Sequence, residues 1–152
     1  MGNETGNFGR YPANGVVFKL TLDWDDPENE PMAMARRDGF AVSNWLYKGE
    51  RPTGIQTRRF KLILAGYGRN FLEVLAKIQA NGKIPEGQWR EAFKTAHPHH
   101  DGGTCVGVPD LSWVNAYGSL VFPFIDKNGH SSFHWPVRAF SDYWRWLVLA
   151  EE

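Results

Sequence analysis

Val16-Val17-Phe18-Lys19-Leu20-Thr21-Leu22-Asp23-Trp24 carries the pattern from which the fold follows. Val16, Phe18, Leu20, Leu22 and Trp24 alternate with Val17, Lys19, Thr21 and Asp23. Successive side chains of an extended chain point to opposite sides, so this period of two predicts a strand with one face against a core. Before it, residues 1–15 carry Gly2, Gly6, Gly9, Pro12 and Gly15 and predict a flexible N-terminal arm. After it, Asp25 to Pro31 reads as an acidic loop. Met32–Arg37 and Phe40–Tyr47 flank Arg37-Asp38-Gly39, and Asp-Gly predicts a hairpin turn because a type I′ turn needs positive φ. Arg58 to Ala65 alternates again, with Phe60, Leu62 and Leu64 on one side and Arg59 and Lys61 on the other. Three or four antiparallel strands are therefore expected in the first half.

The period then changes. Asn70 precedes Phe71, Val74, Leu75 and Ile78, an apolar stripe at helical spacing, and Glu73 completes a capping-box arrangement. Pro85 suits the first turn of a second helix through Trp89, Ala92, Phe93 and Ala96, which Pro98 ends. The short link predicts an antiparallel helical hairpin. Leu120–Ile125 and Ser132–Trp135 read as strands about Asn128-Gly129, with Pro123 placing the first at a sheet edge. Pro136 opens an expected last helix, with Phe140, Tyr143, Trp144, Leu147 and Val148 on one side and Trp146 and Leu149 on another. Strand runs followed by helices indicate α+β. The expectation is one α+β domain over residues 16–152: an antiparallel sheet of about four to six strands, with the helical hairpin and a C-terminal helix packed on it.

A chain of 152 residues with 42% hydrophobic side chains is long enough to bury its own core. The 14% aromatic content argues against general disorder and supplies rigid anchors for a core or an interface. Seventeen basic and seventeen acidic residues cancel, so no global field draws the protein to nucleic acid or an anionic surface. The single cysteine cannot form an internal disulfide, the N-terminus lacks the shape of a signal peptide, and no apolar run is long enough for a membrane span. A cytoplasmic location and no membrane partner are expected.

Three constellations could carry chemistry. All five histidines lie between His97 and His134, and His97, His99, His100, Asp101 and Cys105 offer metal-ligand chemistry within nine residues; no cofactor is the leading expectation, and zinc is the ion of the alternative. His97-x-His99-His100-Asp101 resembles the His-x-His-x-Asp-His motif of metallo-β-lactamase-type hydrolases. It lacks the final histidine, and a predicted helix rather than a strand precedes it. His100, Asn115 and His130 share the residue order of ββα-metal nucleases at a longer spacing. A polar loop after a helix end accounts for the same residues without a metal.

Charge is segregated as well. From Arg36 to Arg69 eight basic side chains face two acidic ones. Interleaved aromatics make Arg36, Arg37, Arg59 and Lys61, with Trp45 and Tyr47 as stacking platforms, a candidate nucleic-acid surface. A solvated sheet face explains the same pattern. Cys105 beside a histidine is a conceivable nucleophile pair, and a lone cysteine is more often a small buried hydrophobe.

Without a catalytic signature, the leading expectation is a small non-catalytic module that binds a macromolecular partner, foremost a protein, as an inhibitor or accessory subunit. Trp146, on the outer side of an over-apolar helix, joins the binding residues. The alternatives are a nucleic-acid-binding module and a metal-dependent enzyme using loop 97–105.

Overall fold

The structure is a computed structural model and describes residues 10–136, 140–141 and 143–150. Among these residues the chain forms β1 (Phe18–Asp23), a 3-10 turn (Pro27–Asn29), α1 (Pro31–Arg37), β2 (Leu46–Tyr47), β3 (Ile55–Leu64), α2 (Phe71–Gln79) and α3 (Trp89–Ala96). It continues through β4 (Cys105–Gly107), β5 (Trp113–Val114), β6 (Leu120–Ile125), β7 (Ser131–His134) and β8 (Trp144–Leu149). The strands make one sheet in the order β1-β3-β8-β4-β6-β5-β2, with β7 also on β6. The fold is α+β as expected, but the sheet has eight strands and is mixed: β4 and β8 run parallel while the other pairs are antiparallel.

The expected C-terminal helix is a strand over its described part. β8 enters the middle of the sheet between β3 and β4, and it is covered on both faces. Trp144, Trp146 and Val148 join one apolar cluster with Phe71, Val74 and Ile78 of α2, while Leu147 and Leu149 join another with Trp89, Ala92 and Phe93 of α3. A strand buried on both faces loses its alternation and reads as a continuous apolar run, which also satisfies helical spacing. Residues 137–139 and 142 of the expected helix lie outside the described residues.

The same parity rule corrects the helical hairpin. Phe60 and Leu62 of β3 face the α3 cluster, whereas Ile63 and Ala65 face the α2 cluster. The helices therefore lie on opposite faces of the sheet. Their link passes from one face to the other beside β8, where Leu149 N donates to Lys83 O at 2.9 Å. Gly82 comes so close there that a Cβ would sit 2.5 Å from Leu149 O.

The expected hairpin at Arg37-Asp38-Gly39 is the end of α1. Pro31 occupies its first turn, and Gly39, at φ 103°, supplies the left-handed residue that ends it. Gly39 N donates to Arg36 O and Phe40 N to Ala35 O, both at 3.0 Å, the two bonds of a Schellman motif. An Asp-Gly pair serves either a hairpin or a helix end. The register of apolar residues around it decides, and Met34 and Ala35 are buried against Trp45, Trp113 and Phe133.

Other local signals hold. Asn70 Oδ1 accepts from Glu73 N at 2.9 Å at the start of α2. β6 and β7 form the expected hairpin, but β6 is internal to the sheet, not at its edge. Pro123 is tolerated because its carbonyl accepts from Val108 N at 3.0 Å, just past the end of β4, where no N–H is required of it. Residues 1–9 of the expected arm lie outside the described residues. Within residues 10–15, Arg10 bridges His99, the Tyr11 ring lies 5.2 Å from Phe93, and Gly15 N donates to Leu62 O at 2.8 Å. No helix among the described residues is long and apolar enough to cross a membrane.

Candidate functional site: the open edge of β1

Among the described residues β1 has a strand neighbour on one side only, β3. Leu62 O accepts from Gly15 N, upstream of β1, so the even-numbered residues of this part of β3 direct their main-chain groups toward β1. Phe18 pairs with Phe60, Leu20 with Arg58 and Leu22 with Gln56. Phe18, Leu20 and Leu22 therefore bond inward to β3, and the main-chain groups of Lys19, Thr21 and Asp23 face away from it. The Asp23 carbonyl is engaged by Asn29 Nδ2 at 2.8 Å and Asp26 N at 3.2 Å. The remaining outward groups have no main-chain partner among the described residues. Six residues of strand present an edge about 20 Å long.

A cleft of about 780 Å³ lies along this edge, between β1 and α3. Leu20 and Leu22 are at its floor, and Glu91 and Thr95 of α3 form its far wall. Asp23, Asp26 and Glu28 stand at one end of β1, and Lys19 at the other. Trp24 packs edge-on against Trp89 at 6.2 Å and Phe18 against Phe93 at 5.9 Å, so α3 is held at both ends of the strand.

The wall is further fixed by buried charge. Arg90 Nε donates to Glu91 Oε2 at 2.7 Å, and its Nη1 donates to Asp38 at 2.7 Å and to Ser132 O at 2.9 Å. Arg37 reaches Glu91 at 2.5 Å. Burial works to raise both carboxyls. Asp38, with its main support from Arg90, ends above the ordinary value, while Glu91, beside Arg90 and hydrogen-bonded by Arg37, ends below it. The two shifts differ in sign because Glu91 has two bonded guanidinium partners and Asp38 one.

The residues predicted to bind metal do not converge. His97 turns into the α3 side, its Nδ1 2.8 Å from Arg10 O and its ring 5.3 Å from Phe18; burial holds its pKa below the ordinary value. Cys105 is buried in the cluster on the opposite face of the sheet, where burial raises its pKa. His99 and His100 are exposed, and Asp101 accepts from Gly103 N and lies 3.7 Å from Arg145. Among the described residues no three His, Cys, Asp or Glu side chains are placed to hold an ion.

The predicted binding residues are scattered as well. Trp45 and Trp146 are buried, Trp45 against Phe40 and Phe133 and Trp146 stacked on Trp144 at 5.1 Å. Tyr47 packs on Trp113 at 4.8 Å and accepts from Gln88 at 3.1 Å, and burial pushes its phenol up to about 12. Arg36 is exposed on α1 and Arg37 is engaged by Glu91. Arg59 and Lys61 do share one face of β3 with Lys19 as a neighbour. They stand five strand positions from Tyr47, roughly 24 Å at the usual spacing. The basic row and the aromatic platform predicted for it are thus separate surfaces.

Sequence reasoning passed over Lys19, Thr21 and Asp23 as binding residues. Their alternation was visible, but nothing in the local pattern marks β1 as an outermost strand. Comparisons with protein-family models, with curated proteins and with solved structures return no match to this chain.

Proposed function

We propose that the protein is a non-catalytic binding module that takes an extended polypeptide segment along the outer edge of β1. The observation that carries the reading is the run of outward main-chain groups at Lys19, Thr21 and Asp23 beside a cleft walled by α3. An added strand gains affinity from main-chain hydrogen bonds and specificity from alternate side chains. Exposed edges are ordinarily blunted or covered, and among the described residues the outward row of this strand carries two charged side chains, Lys19 and Asp23.

The test uses a displayed library of random linear peptides, panned against the whole protein. Enriched peptides are expected to perturb the amide resonances of Lys19 to Asp23. Thr21→Pro removes one outward N–H at an edge position, where proline is compatible with a strand, and should abolish binding while the chain stays folded. Thr21→Val should retain it. Peptides that bind elsewhere, or that ignore Thr21→Pro, would refute the reading.

A further inference from the structure

We propose that the segment received by β1 is the β1 of a second copy of this chain, running antiparallel with Thr21 facing Thr21 across a twofold axis. The inference rests on the reading of β1 as a strand acceptor and names its occupant. The strand is complementary to itself. In this register Lys19 lies opposite Asp23 of the second copy, and by symmetry Asp23 lies opposite its Lys19. Leu20 lies opposite Leu22 on the inner face. Opposite charges and threonine pairs directly across an antiparallel ladder are both favourable.

Main-chain geometry agrees. The outward residues Lys19, Thr21 and Asp23 become the hydrogen-bonded pairs of the new ladder. Thr21 N–H donates to the Thr21 carbonyl of the second copy, and Asp23 N–H donates to its Lys19 carbonyl, each bond occurring twice. The Asp23 carbonyl is already engaged by Asn29 and Asp26, so it adds nothing to this set. The two other registers centred on an outward residue are opposed by charge: one centred on Lys19 places Lys19 against Lys19, and one centred on Asp23 places Asp23 against Asp23. Registers centred on Leu20 or Leu22 place Thr21 opposite Lys19 or Asp23 respectively and lose both Lys19–Asp23 pairs.

One feature inside the chain points the same way. Thr21 Oγ1 lies 2.8 Å from Thr57 Oγ1 on the same face. Pairing at Thr21 therefore extends this contact into a row of four threonines across the two copies.

The experiment is sedimentation velocity on the whole chain over a wide range of concentration. Wild type is expected to pass from monomer to dimer, and Thr21→Pro to remain monomeric. Lys19→Asp and Asp23→Lys each put like charges at both symmetric pairs, so each should weaken self-association roughly thirty-fold. An equimolar mixture of the two variants restores opposite charges at both pairs and should dimerise as wild type does. That rescue separates the pairing from any local damage by either substitution. A wild-type chain that is monomeric throughout, or a mixture no tighter than its components, overturns the proposal. If such a monomer still binds displayed peptides in a Thr21→Pro-sensitive way, only the second copy is refuted. If it binds none, the strand-acceptor reading fails with it. A dimer that survives Thr21→Pro places self-association elsewhere and overturns the proposal too.

Discussion

Arg90 and Asp38 meet at 2.7 Å inside the molecule, their side chains 0% and 3% exposed. The guanidinium also lies 5.3 Å above the Phe133 ring, so it fastens α3 to α1 and β7 at once. Removing Asp38 takes from the buried guanidinium one of its two carboxylate partners and leaves Glu91 as the other. Asp38→Ala is expected to lower the unfolding free energy by about 3–5 kcal/mol, read by denaturant titration. A loss below about 1 kcal/mol, the range of a surface ion pair, would contradict this account of the contact.

The strand assignment of β8 has its own consequence. Trp146 is 1% exposed and Tyr143, just before the strand, is 49% exposed. Trp146→Ala should cost about 3–5 kcal/mol, through lost burial and the cavity left behind. Tyr143→Ala should stay within about 0.5 kcal/mol. Comparable losses at the two sites would be inconsistent with a strand covered on both faces.

His134 lies among Phe122, Phe124, Phe140 and Trp144, with Nδ1 2.7 Å from Trp135 O. Burial lowers its pKa from the ordinary 6.5, and the Trp135 carbonyl opposes that shift in part. The unfolded chain then takes up a proton that the folded chain refuses. The stability present above 6.5 is lost as pH falls through that value toward the depressed folded one, and the decline stops below it. Midpoints of denaturation for wild type should fall over this window. The fall should be shallower for His134→Gln, and equal slopes would remove His134 as a cause.

Zinc is expected to leave the melting temperature unchanged, since His97 and Cys105 sit on opposite faces of the sheet. Cys105 should also react slowly with a thiol reagent until denaturant is added, because burial keeps it in the thiol form. A zinc-dependent rise in melting temperature that His99→Ala abolishes would show that loop 97–105 gathers around an ion after all.

Several elements are legible in the sequence alone. The strand at Val16–Trp24, the alternation through Phe60 and Leu62, the Asn70 cap with its Phe71–Ile78 stripe and the Asn128-Gly129 hairpin depend on contacts within a few residues. Where the sequence misleads, two answers fit the same local chemistry. Asp38-Gly39 satisfies a hairpin turn or a helix end, and the run from Trp144 to Leu149 satisfies a buried strand or an apolar helix. The candidate site is less legible than the fold. His97 and Cys105 are eight positions apart along the chain, yet the sheet lies between them.

By itself the sequence determined which segments alternate, where helices begin and end, and that β1 carries Lys19, Thr21 and Asp23 in one row. Those properties arise from backbone sterics and near-neighbour hydrogen bonds, which short stretches of chain contain in full. Only the tertiary structure decided that the last strand lies at the centre of the sheet and β1 at its rim. Strand order is set by how distant segments share burial. Trp144 to Leu149 can bury both faces and occupies the interior, whereas the polar row of β1 cannot, and among the described residues one of its edges has no strand partner.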